Sequence, residues 1–266
     1  MKAEVVLALL LLPAAMLRAE DLKPETAAAF DRYVRLTEEG MQARSAAGNF
    51  LWIEQHPKEK DLVWLGQSFV IPQETLDNGS KIDVPDGIIQ HLLGAIYFDN
   101  ATVERVRDAL LDYANYKNFL KQQVLESRLE KREGDRFDAF LRIHKRRFTQ
   151  VVLNVQLSSS FTTSDSHRVS ILSKSTKIVE APHAGKKSSD ANNMSGQPTG
   201  YLWRINLYWR LQQANVGVYA ELESISLARS SGRLHSDRLL NGFDNFPREF
   251  AEAFLEGLHQ IFPPPR

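Results

Sequence analysis

The stretch from Tyr201 to Arg229, YLWRINLYWRLQQANVGVYAELESISLAR, constrains this chain more than any other. Tyr201, Trp203, Ile205, Leu207, Trp209 and Leu211 alternate with Leu202, Arg204, Asn206, Tyr208 and Arg210. A period of two sends neighbouring side chains to opposite faces of a strand, so this run reads as a half-buried strand. A break at Ala214-Asn215, with Gly217 close by, separates it from a second run, and the two form a long β-hairpin. A two-residue loop at the break pairs Leu211 with Val218, Trp209 with Ala220 and Leu207 with Leu222. One face then carries Trp203, Ile205, Leu207, Trp209, Val218, Ala220, Leu222 and Ser224. The other carries Arg204, Asn206, Tyr208 and Arg210 beside Tyr219, Glu221 and Glu223. Opposite charges meet across this ladder, which favours the register. A three-residue loop would reverse the parity and set the Trp face against two carboxylates. In the preferred register the two indoles stand opposite small residues, Ala220 and Ser226. Large opposite small serves either dense packing or room for a ligand.

The N-terminus speaks to compartment. Met1-Lys2 is a short basic start, Val5 to Leu17 is apolar except for Pro13, and Leu17-Arg18-Ala19 suits a cleavage site. This is the layout of a secretory signal peptide, and the apolar run is too short to span a bilayer comfortably. The expectation is export, to the periplasm or beyond, with residues 1–19 removed. No later segment has the length and apolarity to cross a membrane. The chain holds 33 Lys+Arg against 33 Asp+Glu, so nothing points to electrostatic capture of nucleic acid. With no cysteine, disulfides, Cys-ligated zinc and thiol catalysis are excluded.

In the mature chain, Pro24-Glu25 opens a helix that ends before Gly48, with Ala27, Phe30, Tyr33, Val34 and Met41 on one face. Phe50 to Glu54 and Leu62 to Ile71 read as strands. Ile88 to Phe98 is a strand, and Asn100 is expected to start a helix whose apolar stripe is Val103, Val106, Leu110 and Tyr113. A short helix over Tyr116 to Leu120 follows. Further strands are Val124 to Lys131, Phe137 to His144, Phe148 to Phe161 and His167 to Val179. Residues 180–199 are rich in Gly, Ser, Asn and Lys and read as a loop. After the hairpin, Phe243, Phe246, Phe250, Phe254, Leu258 and Ile261 recur at helical spacing until Pro263. No internal repeat is found.

This order of elements resembles the START-like superfamily, also called helix-grip or SRPBCC, which includes polyketide-cyclase-like and coenzyme Q-binding-like proteins. The resemblance rests on ATVERVRDALLDYANYKNFLKQQVLESRLEKREGDRF, with Val103, Val106, Leu110, Asp112, Tyr113 and Tyr116 in its pattern, and on the final helix. It spans roughly residues 86–262, and with its leader the chain is similar in layout to secreted bacterial members. It implies an α+β fold: a curved antiparallel sheet wrapped around a long C-terminal helix. The division expected is a signal peptide over 1–19, a helix-and-strand extension over 20–85, and a START-like domain over 86–266. It further implies an apolar cavity between sheet and helix that takes a lipid, an isoprenoid or a quinone. A minority of members are enzymes of the aromatase/cyclase kind.

Chemistry is sparse. There is no G-x-S-x-G, no P-loop and no G-x-G-x-x-G, and the seven histidines lack metal-ligand spacing, so no catalytic residue, cofactor or metal is assigned. The basic run Arg142 to Arg147 reads as a solvated hairpin end, or as a contact for an anionic lipid headgroup. The expected cavity lining is Trp203, Ile205, Leu207, Trp209, Ala220, Leu222, Phe250 and Phe254. Arg204, Asn206, Tyr208, Arg210, Glu221 and Glu223 form a paired outer face, or, with the parity reversed, polar anchors inside the cavity. The reading is an exported binding protein for a hydrophobic small molecule. One alternative is a cyclase or dehydratase with polar residues in the cavity. Another is a structural or interaction protein with a filled core, in which residues 20–85 carry the partner surface. Oligomeric state leaves no trace in the sequence.

Overall fold

A computed structural model describes residues 22–77, 79–145, 151–180, 202–229 and 246–262. The signal-peptide reading, the loop expected after Glu180, Arg146, Arg147, Phe148, Phe243 and the closing prolines lie outside the described residues.

The centre of the molecule is an eight-stranded sheet in which every pairing is antiparallel. Its strands are β1 (Phe69–Pro72), β2 (Gly87–Asp99), β3 (Val124–Glu133), β4 (Arg136–Lys145), β5 (Val151–Asp165), β6 (Arg168–Glu180), β7 (Leu202–Gln213) and β8 (Gly217–Arg229). The order across the sheet is β1-β2-β8-β7-β6-β5-β4-β3. Strands β3 to β8 run as a meander, and β2 closes against the last strand. One face is covered by α3 (Val103–Leu111), the short α4 (Tyr116–Phe119) and the C-terminal α5 (Phe246–Leu258). This is an α+β helix-grip architecture, in which a curved sheet holds a C-terminal helix. Two glycines let α5 sit close to its neighbours. A Cβ at Gly257 would lie 2.9 Å from Leu120, and one at Gly94 would lie 3.1 Å from Leu255.

The opposite face of the sheet is covered as well. Helix α1 (Pro24–Ala46) lies there, followed by a 3₁₀ turn (Trp52–Gln55) and α2 (Pro57–Trp64). Phe30, Tyr33, Val34 and Met41 of α1 form a core with Trp203, Tyr208, Ile225 and Leu227 of the hairpin. The helix face expected from the sequence is thus the face buried. Phe50 to Glu54 is not a strand, however: Leu51 and Ile53 are buried through a 3₁₀ turn. The strand expected from Leu62 to Ile71 is only Phe69–Pro72, because Pro57 supplies the first position of a helix. Thr102, not Asn100, caps α3, its hydroxyl accepting from the Arg105 N–H at 3.4 Å.

The hairpin keeps the expected parity but not the expected register. Leu211 pairs with Ala220, Trp209 with Leu222 and Leu207 with Ser224. The turn is centred on Asn215-Val216, one residue later than expected, and the Ala214 N–H donates to the Gly217 carbonyl at 2.7 Å. Moving a turn by one residue shifts the register by two, which leaves every side chain on its face. Trp203 is the exception. A bulge between Leu202 and Arg204 inserts it as an extra residue. Its indole joins Phe30 and Tyr33 on the α1 face, and Leu202 takes the concave side.

Candidate functional site: an apolar cavity under the C-terminal helix

The concave face and α5 enclose a cavity with about 840 Å³ of space unfilled by atoms, including its open mouth. Little of that space is wide enough for the centre of a water molecule, so a larger guest requires the walls to part. From the hairpin come Ile205, Leu207, Trp209 and Leu222; from α5 come Phe250 and Phe254. Leu141, Ile143, Leu153, Val155 and Leu157 of β4 and β5 complete the apolar wall, with Leu110, Tyr113 and Tyr116 at the α3–α4 end. Phe254 is the hub of the aromatic side: its ring centroid lies 5.2 Å from that of Tyr116, 5.6 Å from Trp209 and 6.1 Å from Phe250.

Two residues expected in this lining are elsewhere. Trp203 is on the other face, for the reason given above. Ala220 is on the concave face but fully buried in the packed core, opposite Leu211. The indoles accordingly do not stand opposite Ala220 and Ser226. Trp209 faces Leu222, and Ser226 faces Ile205.

The cavity is not wholly apolar. Leu92, Ser224, Leu207, Ser173 and Ser159 are direct partners in sequence across β2, β8, β7, β6 and β5, forming one row across the sheet. At one end of the row the Tyr113 hydroxyl lies 2.5 Å from Ser159 Oγ and 3.2 Å from Ser173 Oγ, and Ser159 donates to Ser173 at 2.8 Å. Three hydroxyls thus satisfy one another. Tyr116 donates its hydroxyl proton to the Leu110 carbonyl. Burial pushes both phenols up, Tyr116 well above the ordinary tyrosine value, so they are neutral across the physiological range. Sequence reasoning placed Tyr113 and Tyr116 at the helix junction, as packing first and cavity rim second, and missed both serines. Their signal was the spacing of serines along separate strands, which means nothing until the register is known.

None of the six residues considered as polar anchors reaches the cavity. All lie on the α1 face, and they are not an open outer face either, because α1 and the 3₁₀ turn cover them. Arg204 pairs with Asp31 at 2.8 Å, and Asn206 donates to the Tyr208 hydroxyl at 3.2 Å. Tyr208 donates to Glu38 at 2.8 Å, and Arg210 donates to the Phe50 carbonyl at 2.8 Å. Glu221 accepts from the Trp52 and Ile53 N–H groups, each at 2.7 Å. Glu223 pairs with Arg44 and stands 3.5 Å from His91, whose other ring nitrogen is 3.0 Å from the Tyr33 hydroxyl.

The two carboxylates titrate in opposite directions. Burial pushes Glu221 up to about 7, against the pull of its two backbone donors. Burial also acts upward on Glu223, but the His91 contact and the charges of Arg44 and Arg210 outweigh it and hold Glu223 below the usual carboxylate range.

A second, more open recess of about 1350 Å³, including solvent, lies beside β2, lined by Tyr33, Gln73, Lys81, Ile88, His91 and Arg248 among others. Its mixed charges and openness fit a hydrated groove better than a small-molecule pocket. Among the described residues no cluster of His, Asp and Glu is placed to hold a metal ion, and no helix is long and apolar enough to cross a membrane.

No family sequence profile matches the chain, and no curated protein matches it in sequence. The chain is similar in part to several solved structures. The Zhui aromatase/cyclase from Streptomyces sp. R1128 is 10% identical, with a TM-score of 0.46 over 66% of this chain and 98% of that one. A STAR-related lipid transfer protein from Xanthomonas axonopodis is 13% identical, with a TM-score of 0.40 over 57% of this chain and 82% of that one. Human STARD10 is 12% identical, with a TM-score of 0.43 over 72% of this chain and 69% of that one.

Proposed function

We propose that this protein is an exported binding protein that holds a hydrophobic small molecule between the sheet and α5. The observation that supports this best is the cavity itself: aliphatic and aromatic side chains from four strands and three helices converge on one recess, which is roofed by a single terminal helix. Binding would be driven by burial. At about 25 cal/mol per Å², a guest that hides ~300 Å² of apolar surface gains roughly 7 kcal/mol before the entropic cost of association. The enzyme alternative needs acid or base groups inside the cavity. Glu221 and Glu223, the carboxylates it would use, lie on the other face of the sheet.

Export belongs to the same proposal and rests on the residues 1–19 alone. The test is native mass spectrometry of the full-length gene product purified from its own host, followed by organic extraction. A stoichiometric lipid-like adduct and a polypeptide mass beginning near Glu20 support the reading. A bare polypeptide that takes up nothing from a panel of lipids, isoprenoids and quinones refutes the binding half. An intact Met1 refutes the export half.

A further inference from the structure

We infer that the cavity selects uncharged ligands that present an oxygen acceptor, such as an alcohol, ketone, ester or quinone, and that Ser224 Oγ is the group that holds one such oxygen. This rests on the binding role proposed above. Ser224 is 2% exposed and lines the cavity, yet its hydroxyl has no hydrogen-bond partner among the described residues. A buried hydroxyl left without a partner costs free energy, so a site that retains one is suited to a guest that completes the bond. The other hydroxyls of the wall are already engaged: Tyr116 with a carbonyl, and Tyr113 and Ser173 with each other and with Ser159. Ser224 therefore offers the available donor. It stands two strands from Ser173, about 10 Å at ordinary strand spacing, between Leu92 and Leu207 in the row that crosses the sheet.

The charge of the guest follows from what the wall lacks. Among the described residues no acidic or basic side chain lines the cavity. A carboxylate or phosphate drawn inside would lose its hydration without gaining a counter-charge. The N-terminal end of α5, at Phe246 and Pro247, does border the cavity and favours negative charge. That effect is smaller than the cost of desolvating an anion, and it acts only at the first turn. A neutral oxygen faces neither problem.

The test is equilibrium dialysis of the full chain at pH 7 against three probes of nearly equal shape: naphthalene, 2-naphthol and 2-naphthoate. The expected result is that 2-naphthol binds about three- to tenfold more tightly than naphthalene, the range of one net hydrogen bond. 2-Naphthoate is expected to bind at least about tenfold more weakly than 2-naphthol. In Ser224→Ala the preference for 2-naphthol disappears while naphthalene binds as before, which also shows that the variant is folded. Equal binding of naphthalene and 2-naphthol by the natural chain overturns the anchor, with or without the variant, and so does a preference that survives in Ser224→Ala. 2-Naphthoate binding as tightly as 2-naphthol overturns the selection for neutral guests. Failure of all three probes to bind counts against the cavity as a binding site and removes the basis of the anchor with it.

Discussion

Glu223 and Arg44, 179 positions apart in the chain, form an ion pair whose side chains are only 4% and 11% exposed. The pair ties the last strand of the sheet to the first helix. Arg44 also reaches Asp77 at 2.5 Å, so one guanidinium joins α1, the sheet and the segment before β2. Truncating it leaves Glu223 buried with His91, 3.5 Å away, and the charge of Arg210 in place of its ion pair. Arg44→Ala is expected to lower the unfolding free energy by about 3–5 kcal/mol, read from the urea midpoint. Replacing both members, Arg44→Met with Glu223→Leu, is expected to restore most of that loss, because no buried carboxylate is then stranded and Asp77, 47% exposed, is solvated by water. A single-variant loss below about 1 kcal/mol would show that water replaces the partner.

Glu221 makes stability fall with pH. Its folded-state pKa, about 7, lies above its ordinary value, so between about pH 4.5 and 7 the folded state holds a proton that the unfolded state has lost. Stability contributed by that proton is complete below the ordinary value and is gone above about pH 7. The expected decline over this window is on the order of 3 kcal/mol. Glu223 acts in the opposite sense and in a lower window, since its folded pKa is depressed and its contribution is lost as pH falls through that value. Urea titrations at half-unit pH steps, on the natural chain and on Glu221→Gln, separate the two. The slope from pH 5 to 7 should vanish in the variant and the acid limb should persist; an unchanged slope would assign it to another group.

Filling the cavity should abolish binding while sparing the fold. Leu207 sits centrally in the serine row and faces the empty space. Leu207→Trp is expected to cut hydrophobic-ligand affinity more than about tenfold. It should cost about 1–3 kcal/mol of stability, since the larger indole must push the walls apart to enter. Thermal melts and dialysis on the same preparation check both halves. Undiminished affinity would place the ligand elsewhere.

The Tyr113 hydroxyl is expected to be structural. Tyr113→Phe leaves Ser159 and Ser173 bonded to each other, so the loss should be about 1 kcal/mol, with the ligand affinity of the natural chain retained. A large fall in affinity without a fall in stability would instead place that hydroxyl in contact with the ligand.

How much of the site is legible in the sequence depends on the range of each signal. The parity of the hairpin is a local property, and the alternation from Ile205 to Leu211 reports it directly. The register is not local: turns centred on Ala214-Asn215 and on Asn215-Val216 fit the same residues and differ by two positions. Trp203 could not be placed, because the bulge that turns it away depends on the α1 surface it packs against. Phe50 to Glu54 misled because a short apolar run does not distinguish a strand from a buried turn. Ser224 and Ser173 became a pair of wall residues only once Leu207 was fixed between them.

The sequence by itself determined most of the element types, the apolar stripe of the last helix and the two chemically distinct faces of the hairpin. Each of these is a periodicity within one segment, set by backbone geometry and by which side chains avoid water. Only the tertiary structure decided what each face meets. Residues 22–64 fold back over the charged face, so Arg44 and the Trp52 and Ile53 amides, rather than solvent or a ligand, satisfy Glu221 and Glu223. The apolar face received a helix that leaves a recess, and the distance between sheet and helix is a sum of many side-chain volumes from segments far apart in the chain. No single stretch encodes that sum, and so the cavity and the unengaged Ser224 hydroxyl belong to the fold rather than to any motif.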